Sequence, residues 1–292
     1  MTRLREVVRH MDTLADIREI MNAMKNLAII ESRKLEKVLA SQRVIVSDID
    51  RIAANFTAHF PFEFPVDPRN HLYILIGAER GFSGSFNHQL QTYYRKLLQK
   101  SSDTNAIAIA VGRKFATTFT ATSPQIILLD GASAQEEISH VLNQLVNRVE
   151  ILQGRYGTLA CTVVRHDQLS RSIVTQPILP PFQNTQTQYR STPYPPRLYL
   201  HPPQFLSDLI QQYLFAHLYS GLNASLLAEN EYRVAHLQGA IRHLDERSVE
   251  LGRLRRGLRQ EEIIEEIEVI LLNTDQGETG DGDDSSEEFD GS

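Results

Sequence analysis

Thirty lysines and arginines against 36 aspartates and glutamates give this 292-residue chain a formal net charge of -6 and a pI near 5.9. The acidity is concentrated at one end: Asn273 to Ser292 holds eight acidic residues and no basic one, which leaves 30 basic against 28 acidic residues elsewhere, a net of +2. A near-neutral body argues against a nucleic-acid binder with a strongly basic body, and no run approaches the roughly 18 consecutive apolar residues of a membrane span. The single cysteine, Cys161, excludes a disulfide scaffold and fits a reducing compartment.

The chain opens with Arg3, Arg5 and Arg9 on an amphipathic pattern, like a mitochondrial presequence. Glu6, Asp12 and Asp16 interrupt that pattern, and the periodicity runs far past a presequence's length, so the segment reads as mature structure. From Val7 to Phe56 the apolar residues follow a heptad repeat. One seam is Val7, Leu14, Met21, Ala28, Leu35, Gln42, Ile49 and Phe56; the other is Arg3, His10, Ile17, Met24, Glu31, Val38, Ile45 and Ile52. Twelve of these sixteen positions are apolar and no Gly or Pro precedes Pro61, which predicts one helix over residues 1–60. Fifty helical residues reach roughly 75 Å, longer than a small domain is wide.

Pro61, Pro65 and Pro68 end that helix, and strands then alternate with helices. Strands are predicted at Leu72–Ile76, Ala106–Val111, Ile126–Leu129 and Leu159–Val164, and helices at Asn87–Leu98, Lys114–Thr118 and Ala134–Leu152. The alternation implies a parallel-type sheet in an α/β domain over 70–180. Eight prolines from Pro177 to Pro203 mark an extended connection, set at 181–203. A second long helix is predicted over 204–272, with Leu237, Leu244, Leu251 and Leu258 on one seam and Val234 and Ile241 on the next, which Ser248 and Arg255 break. The two long helices supply partners for each other's seams as an intramolecular antiparallel coiled coil. Ordinary core helices or a homodimeric zipper satisfy the same periodicity. The tail, 273–292, has the composition of a disordered acidic appendage.

Candidate chemistry is sparse. Gly77 to Asn87 forms a glycine-rich turn between a strand and a helix, where backbone N–H groups can meet phosphate. Its spacing is neither the dinucleotide fingerprint nor a P-loop, and a structural turn is the plainer reading. His236 and His243 lie seven apart without a third metal ligand nearby. Ser83 is not in a nucleophile elbow, and no catalytic constellation emerges. Arg253, Arg255, Arg256 and Arg259 cluster on the last helix ahead of Glu261, Glu262, Glu265, Glu266 and Glu268. This is either a solvated face with local ion pairs or a set of guanidinium forks for a partner's carboxylates.

Three motifs carry a resemblance. Ile20-Met21-Asn22-Ala23-Met24, followed by Ala28 and Arg33-Lys34, resembles the N-terminal signature of F-type ATP synthase gamma subunits. Glu79-Arg80-Gly81-Phe82-Ser83-Gly84 with Asn87 is similar to that family's Asp-Arg-Gly-Leu-Cys-Gly loop, and Arg259-Gln260 with Ile263 and Glu266 stands where the family has its Arg-Gln pair. Asp16, Ile17 and Glu19 depart from the family's Asn, Thr and Lys, and Arg255-Arg256 from its Tyr-Asn, which points to a divergent branch such as the alternate bacterial ATPases.

The resemblance implies long terminal helices in an antiparallel coiled coil around a central α/β, Rossmann-like domain. It implies a rotary shaft with no active site, cofactor or metal of its own, coupling proton or sodium flow to ATP synthesis or hydrolysis. Partners would be the alpha and beta subunits, the epsilon subunit and the membrane ring of c subunits, at the cytoplasmic face of the bacterial inner membrane. Contact residues carried over from it are Met24, Arg33, Lys34, Arg255, Arg256, Arg259 and Gln260. The alternative from another class is a nucleotide-binding α/β enzyme or regulator dimerised by coiled-coil arms.

Overall fold

The computed structural model describes residues 2–64, 67–100, 105–119, 126–168, 170–183, 192 and 194–278. Of the expected proline-rich connection and acidic tail, residues 184–191, 193 and 279–292 lie outside that set. Helix α1 spans Thr2–His59 and is followed by β1 (Asp67–Ile76), α2 (Phe86–Lys100), β2 (Asn105–Val111), α3 (Arg113–Ala116) and β3 (Ile126–Leu129). A 3-10 turn at Gln135–Glu137 leads into α4 (Ile138–Tyr156), then β4 (Leu159–Asp167), β5 (Ser172–Leu179) and α5 (Pro202–Glu278). Helix α5 runs into the first residues of the segment expected as a tail.

The described residues form two compact units, one within Met1–Ala23 and Gly239–Ser292, the other within Met24–Gln238. The second contains a five-stranded sheet of order β3-β2-β1-β4-β5. Strands β1 to β4 are parallel, so that Leu72 of β1 stands between Ile107 and Cys161. The parallel-type sheet expected from the alternation is therefore mixed, because β5 runs antiparallel to β4. Pro177, which marked the start of the connection in the sequence, lies inside β5 opposite Thr162. An edge strand tolerates proline because one row of its N–H groups needs no ladder partner.

Alternation along β1 divides the core. Leu72, Ile74 and Ile76 join Leu35 and Leu39 of α1, Leu142 and Leu145 of α4, and Leu222 and Leu226 of α5. Tyr73 and Leu75 face the other way, onto Leu90 and Tyr94 of α2 and Phe115 of α3. Residues 221–230 of α5 are all buried, as expected where a helix is enclosed on every side. Small side chains make that possible: Ala224, Ser225 and Ala228 lie in this stretch, and Ser225 Oγ donates to the Ile76 carbonyl at 3.0 Å.

In this unit α1 and α5 run antiparallel. Asp50 meets His217 at 3.1 Å, whereas Phe56, further along α1, packs on Phe205, earlier in α5, with ring centroids 5.0 Å apart. In the helical unit, Arg18 of α1 donates to Asp245 of α5 at 2.5 Å. The α1 seam through Val7, Leu14, Met21, Ala28, Leu35 and Phe56 is buried or half-buried, but the second seam is displaced by one residue. It runs through Leu4, Met11, Lys25, Ser32, Leu39, Val46 and Ala53, with Arg18 exposed; of the expected seam, Arg3, His10, Ile17, Ile45 and Ile52 are exposed, whereas Met24, Glu31 and Val38 are half-buried. Apolar residues on both flanks of the true seam satisfy a heptad count equally well, so the period alone does not fix the face. On α5, Leu237, Ile241, Leu251 and Leu258 are buried.

Candidate functional site

Open α/β sheets take ligands beyond the carboxyl ends of their strands, where the strand order reverses. Here β2 and β3 build outward from one side of β1 while β4 adds to the other. The glycine-rich turn leaves β1 at that switch point, so its backbone N–H groups are the ones a phosphate would need. A carboxylate of the chain itself, Glu229, occupies two of them, those of Glu79 and Arg80.

Glu79, whose side chain is 2% exposed, reaches across the exits of two other strands. Its Oε2 accepts from the backbone N–H of Arg113, after β2, at 2.8 Å and from that of Gly131, after β3, at 2.7 Å. The Arg113 guanidinium caps Oε1 and is itself held above its usual value by that carboxylate. Close approach depends on glycine. A Cβ on Gly112, at φ +116°, would stand 2.7 Å from the Ala78 carbonyl oxygen, and one on Gly131 would stand 3.0 Å from Gly112 Cα.

The backbone N–H groups of Glu79 and Arg80 donate in turn to Glu229 of α5, at 3.3 and 3.4 Å. The Arg233 guanidinium closes the arrangement by binding the Glu229 carboxylate and the Asn230 side-chain oxygen, and its Nε donates to the Gly81 carbonyl at 3.2 Å. Burial pushes the Glu229 carboxyl above its ordinary value, opposed by Arg233 and the two backbone donors. Asn87 Oδ1 accepts from the Ala78 N–H at 2.9 Å. His166 stacks on Phe86 and donates from Nε2 to its carbonyl oxygen at 2.9 Å, and burial lowers its pKa.

The glycine-rich turn is thus a structural latch, its Gly77, Ala78, Glu79 and Arg80 N–H groups engaged by Val111, Asn87 and Glu229. Glu229 and Arg233, its α5 half, were not among the residues singled out in the sequence. The available signal was an acid and a base four residues apart, beginning next to the small and apolar run Ala224–Ala228. Among the described residues, no three His, Cys, Asp or Glu side chains are grouped to hold a metal ion. His243 is exposed and pairs with Glu246 at 3.3 Å.

A family model described as ATP synthase matches residues 3–272. The ATP synthase gamma chain of Halothermothrix orenii is 25% identical, with 93% of this chain and 98% of that one covered. The ATP synthase gamma chain of Fusobacterium nucleatum is 21% identical over 92% of this chain and 97% of its own. The chain belongs to the gamma-subunit family of ATP synthases. Solved structures share its fold. The rotor of the Euglena gracilis mitochondrial ATP synthase superposes with a TM-score of 0.59 at 14% identity, covering 90% of this chain and 99% of that one. The central stalk of the Tetrahymena thermophila enzyme gives 0.54 at 16% identity, covering 76% and 99%.

Within this gamma-family fold the expected contact residues divide between the two units. Met24 is half-buried. Arg33 is exposed and lines a groove of about 640 Å³ with Ile29 and Glu36 of α1 and Glu231, Tyr232 and Gln238 of α5. Lys34 is held by Glu31 at 3.0 Å and by Glu136 at 3.5 Å, and the Glu31 bond raises its pKa. In the helical unit, Arg255, Arg256, Arg259 and Gln260 are all exposed around the buried Leu258. No helix among the described residues is long and apolar enough to cross a membrane.

Proposed function

We infer that the chain is the central rotor shaft of an F-type ATP synthase, transmitting rotation between a membrane ion-conducting ring and the nucleotide sites of a surrounding hexamer. The observation that carries this reading is the family match over residues 3–272, which takes in both long helices and the sheet between them. The mechanism is mechanical. An asymmetric pair of helices presents different side chains to three catalytic sites, and each site's affinity for nucleotide follows the face it meets. Catalysis then belongs to the partner subunits.

The proposed partners are alpha and beta subunits around the helical unit, an epsilon subunit, and a ring of c subunits at the foot, on the cytoplasmic face of a bacterial inner membrane. The exposed arginines around Leu258 supply planar donors suited to carboxylates of a surrounding beta subunit. By the same reading Met24 lies in the bearing region, and Arg33 and Lys34 are further partner contacts. What speaks against the alternative, a nucleotide-binding enzyme or regulator, is that a phosphate at the N–H groups of Glu79, Arg80, Arg113 or Gly131 would have to displace Glu79 or Glu229. Co-expression with the alpha and beta subunits of the same operon tests the shaft: the three should co-elute as one complex, and separate elution under gentle conditions would exclude it.

A further inference from the structure

Glu79 belongs to two carboxylate clasps at once. Its backbone N–H is bonded to Glu229 on α5, and its side chain is bonded to the exits of β2 and β3 at Arg113 and Gly131. The Glu79 and Glu229 side chains are buried, and the loops at Ala78, Gly112 and Gly131 approach so closely that a Cβ on Gly112 would stand 2.7 Å from the Ala78 carbonyl oxygen and one on Gly131 3.0 Å from Gly112 Cα, which favours their moving together. We propose that the two clasps act in series as a single lock, through which load on the sheet enters α5 by way of Glu79, Glu229 and Arg233. The proposal rests on the shaft reading, because only a torque-bearing chain puts such a load on the joint.

Arg233 is the second half of the α5 pin. It binds Glu229 on its own helix and the Gly81 carbonyl on the loop, so the loop is gripped through both a donor and an acceptor. A loop held only by apolar packing could slide along the helix, whereas opposed polar bonds fix its register. Sliding is the failure that a load-bearing joint must prevent.

Hydrogen exchange on the full chain, comparing wild type with Glu229→Gln and with the double variant Glu229→Met/Arg233→Met, tests the lock. The double variant removes the pin without leaving an unpaired buried charge, which keeps the fold accessible. The lock predicts that exchange at the Gly131 and Arg113 N–H groups, which Glu229 does not touch, accelerates by about tenfold along with that at Glu79 and Arg80. Faster exchange confined to Glu79 and Arg80 would overturn it. In the complex with alpha and beta subunits and the membrane sector, the double variant should still assemble but move fewer ions per ATP hydrolysed. An unchanged ratio would overturn the load-bearing role. Failure of the wild-type chain to assemble would instead count against the shaft reading, and the exchange result would stand apart from it.

Discussion

Glu229 and Arg233 are 3% and 7% exposed in their side chains, on a stretch of α5 enclosed on every side. Removing one member of such a pair strands a charge away from water, so Arg233→Met alone should cost about 3–5 kcal/mol in denaturant unfolding. The Glu229→Met/Arg233→Met double variant should recover most of that loss; equal destabilisation by both would show that the pair is not the cause. The same site predicts a pH dependence. Burial raises the folded-state pKa of Glu229, so the folded chain binds this proton more tightly than the unfolded chain does. Its contribution is complete below the ordinary carboxylate pKa and falls as pH rises through the raised value. Glu229→Gln should therefore flatten the stability profile over that window, and an unaltered slope would assign it to other groups. Cys161 is fully buried and burial pushes its thiol up, so it should resist alkylation in the folded chain and react after unfolding. Glycine spacing made the turn after β1 legible in the sequence, but its partners were not. Glu229 meets it across 150 positions, and no local pattern records such a contact.

Strands β1 to β4 were legible because runs such as Leu72–Ile76 and Ala106–Val111 are apolar and bounded by turn residues. Strand β5 was hidden because Pro177 reads as a breaker, and only the antiparallel edge position makes it acceptable. On α1 the heptad period was legible and one seam was placed correctly, but Ile17, Ile45 and Ile52 drew the ends of the second seam onto an exposed face, while Met24, Glu31 and Val38 in its middle are half-buried. The structure separates the two faces by consequence. Leu39→Ala, in the main core, should destabilise the chain by about 2–5 kcal/mol. Ile45→Glu should change stability by no more than about 0.5 kcal/mol. Comparable losses in chemical denaturation would restore the seam inferred from the period. Ile263, Ile264 and Ile267 of α5 are likewise exposed.

Over the whole molecule, the net charge of -6 says little about the rotor, because the body without its last twenty residues is close to neutral. What defines the chain is two long helices together with a sheet at whose switch point its own Glu79 and Glu229 carboxylates bind backbone N–H groups. Arg259 is exposed, so Arg259→Ala should leave unfolding within about 0.5 kcal/mol of wild type while lowering coupling between hydrolysis and ion movement in the assembled enzyme. Loss of the folded state would give Arg259 a structural role instead. The central claim, that this chain turns inside its partners, is open to direct observation. With Cys161 buried, an Ile151→Cys substitution on the exposed face of α4 supplies a uniquely reactive thiol for a visible probe. With the alpha and beta subunits fixed to a surface, the account predicts unidirectional, ATP-driven rotation of that probe. A probe that stays still while the complex hydrolyses ATP would contradict it.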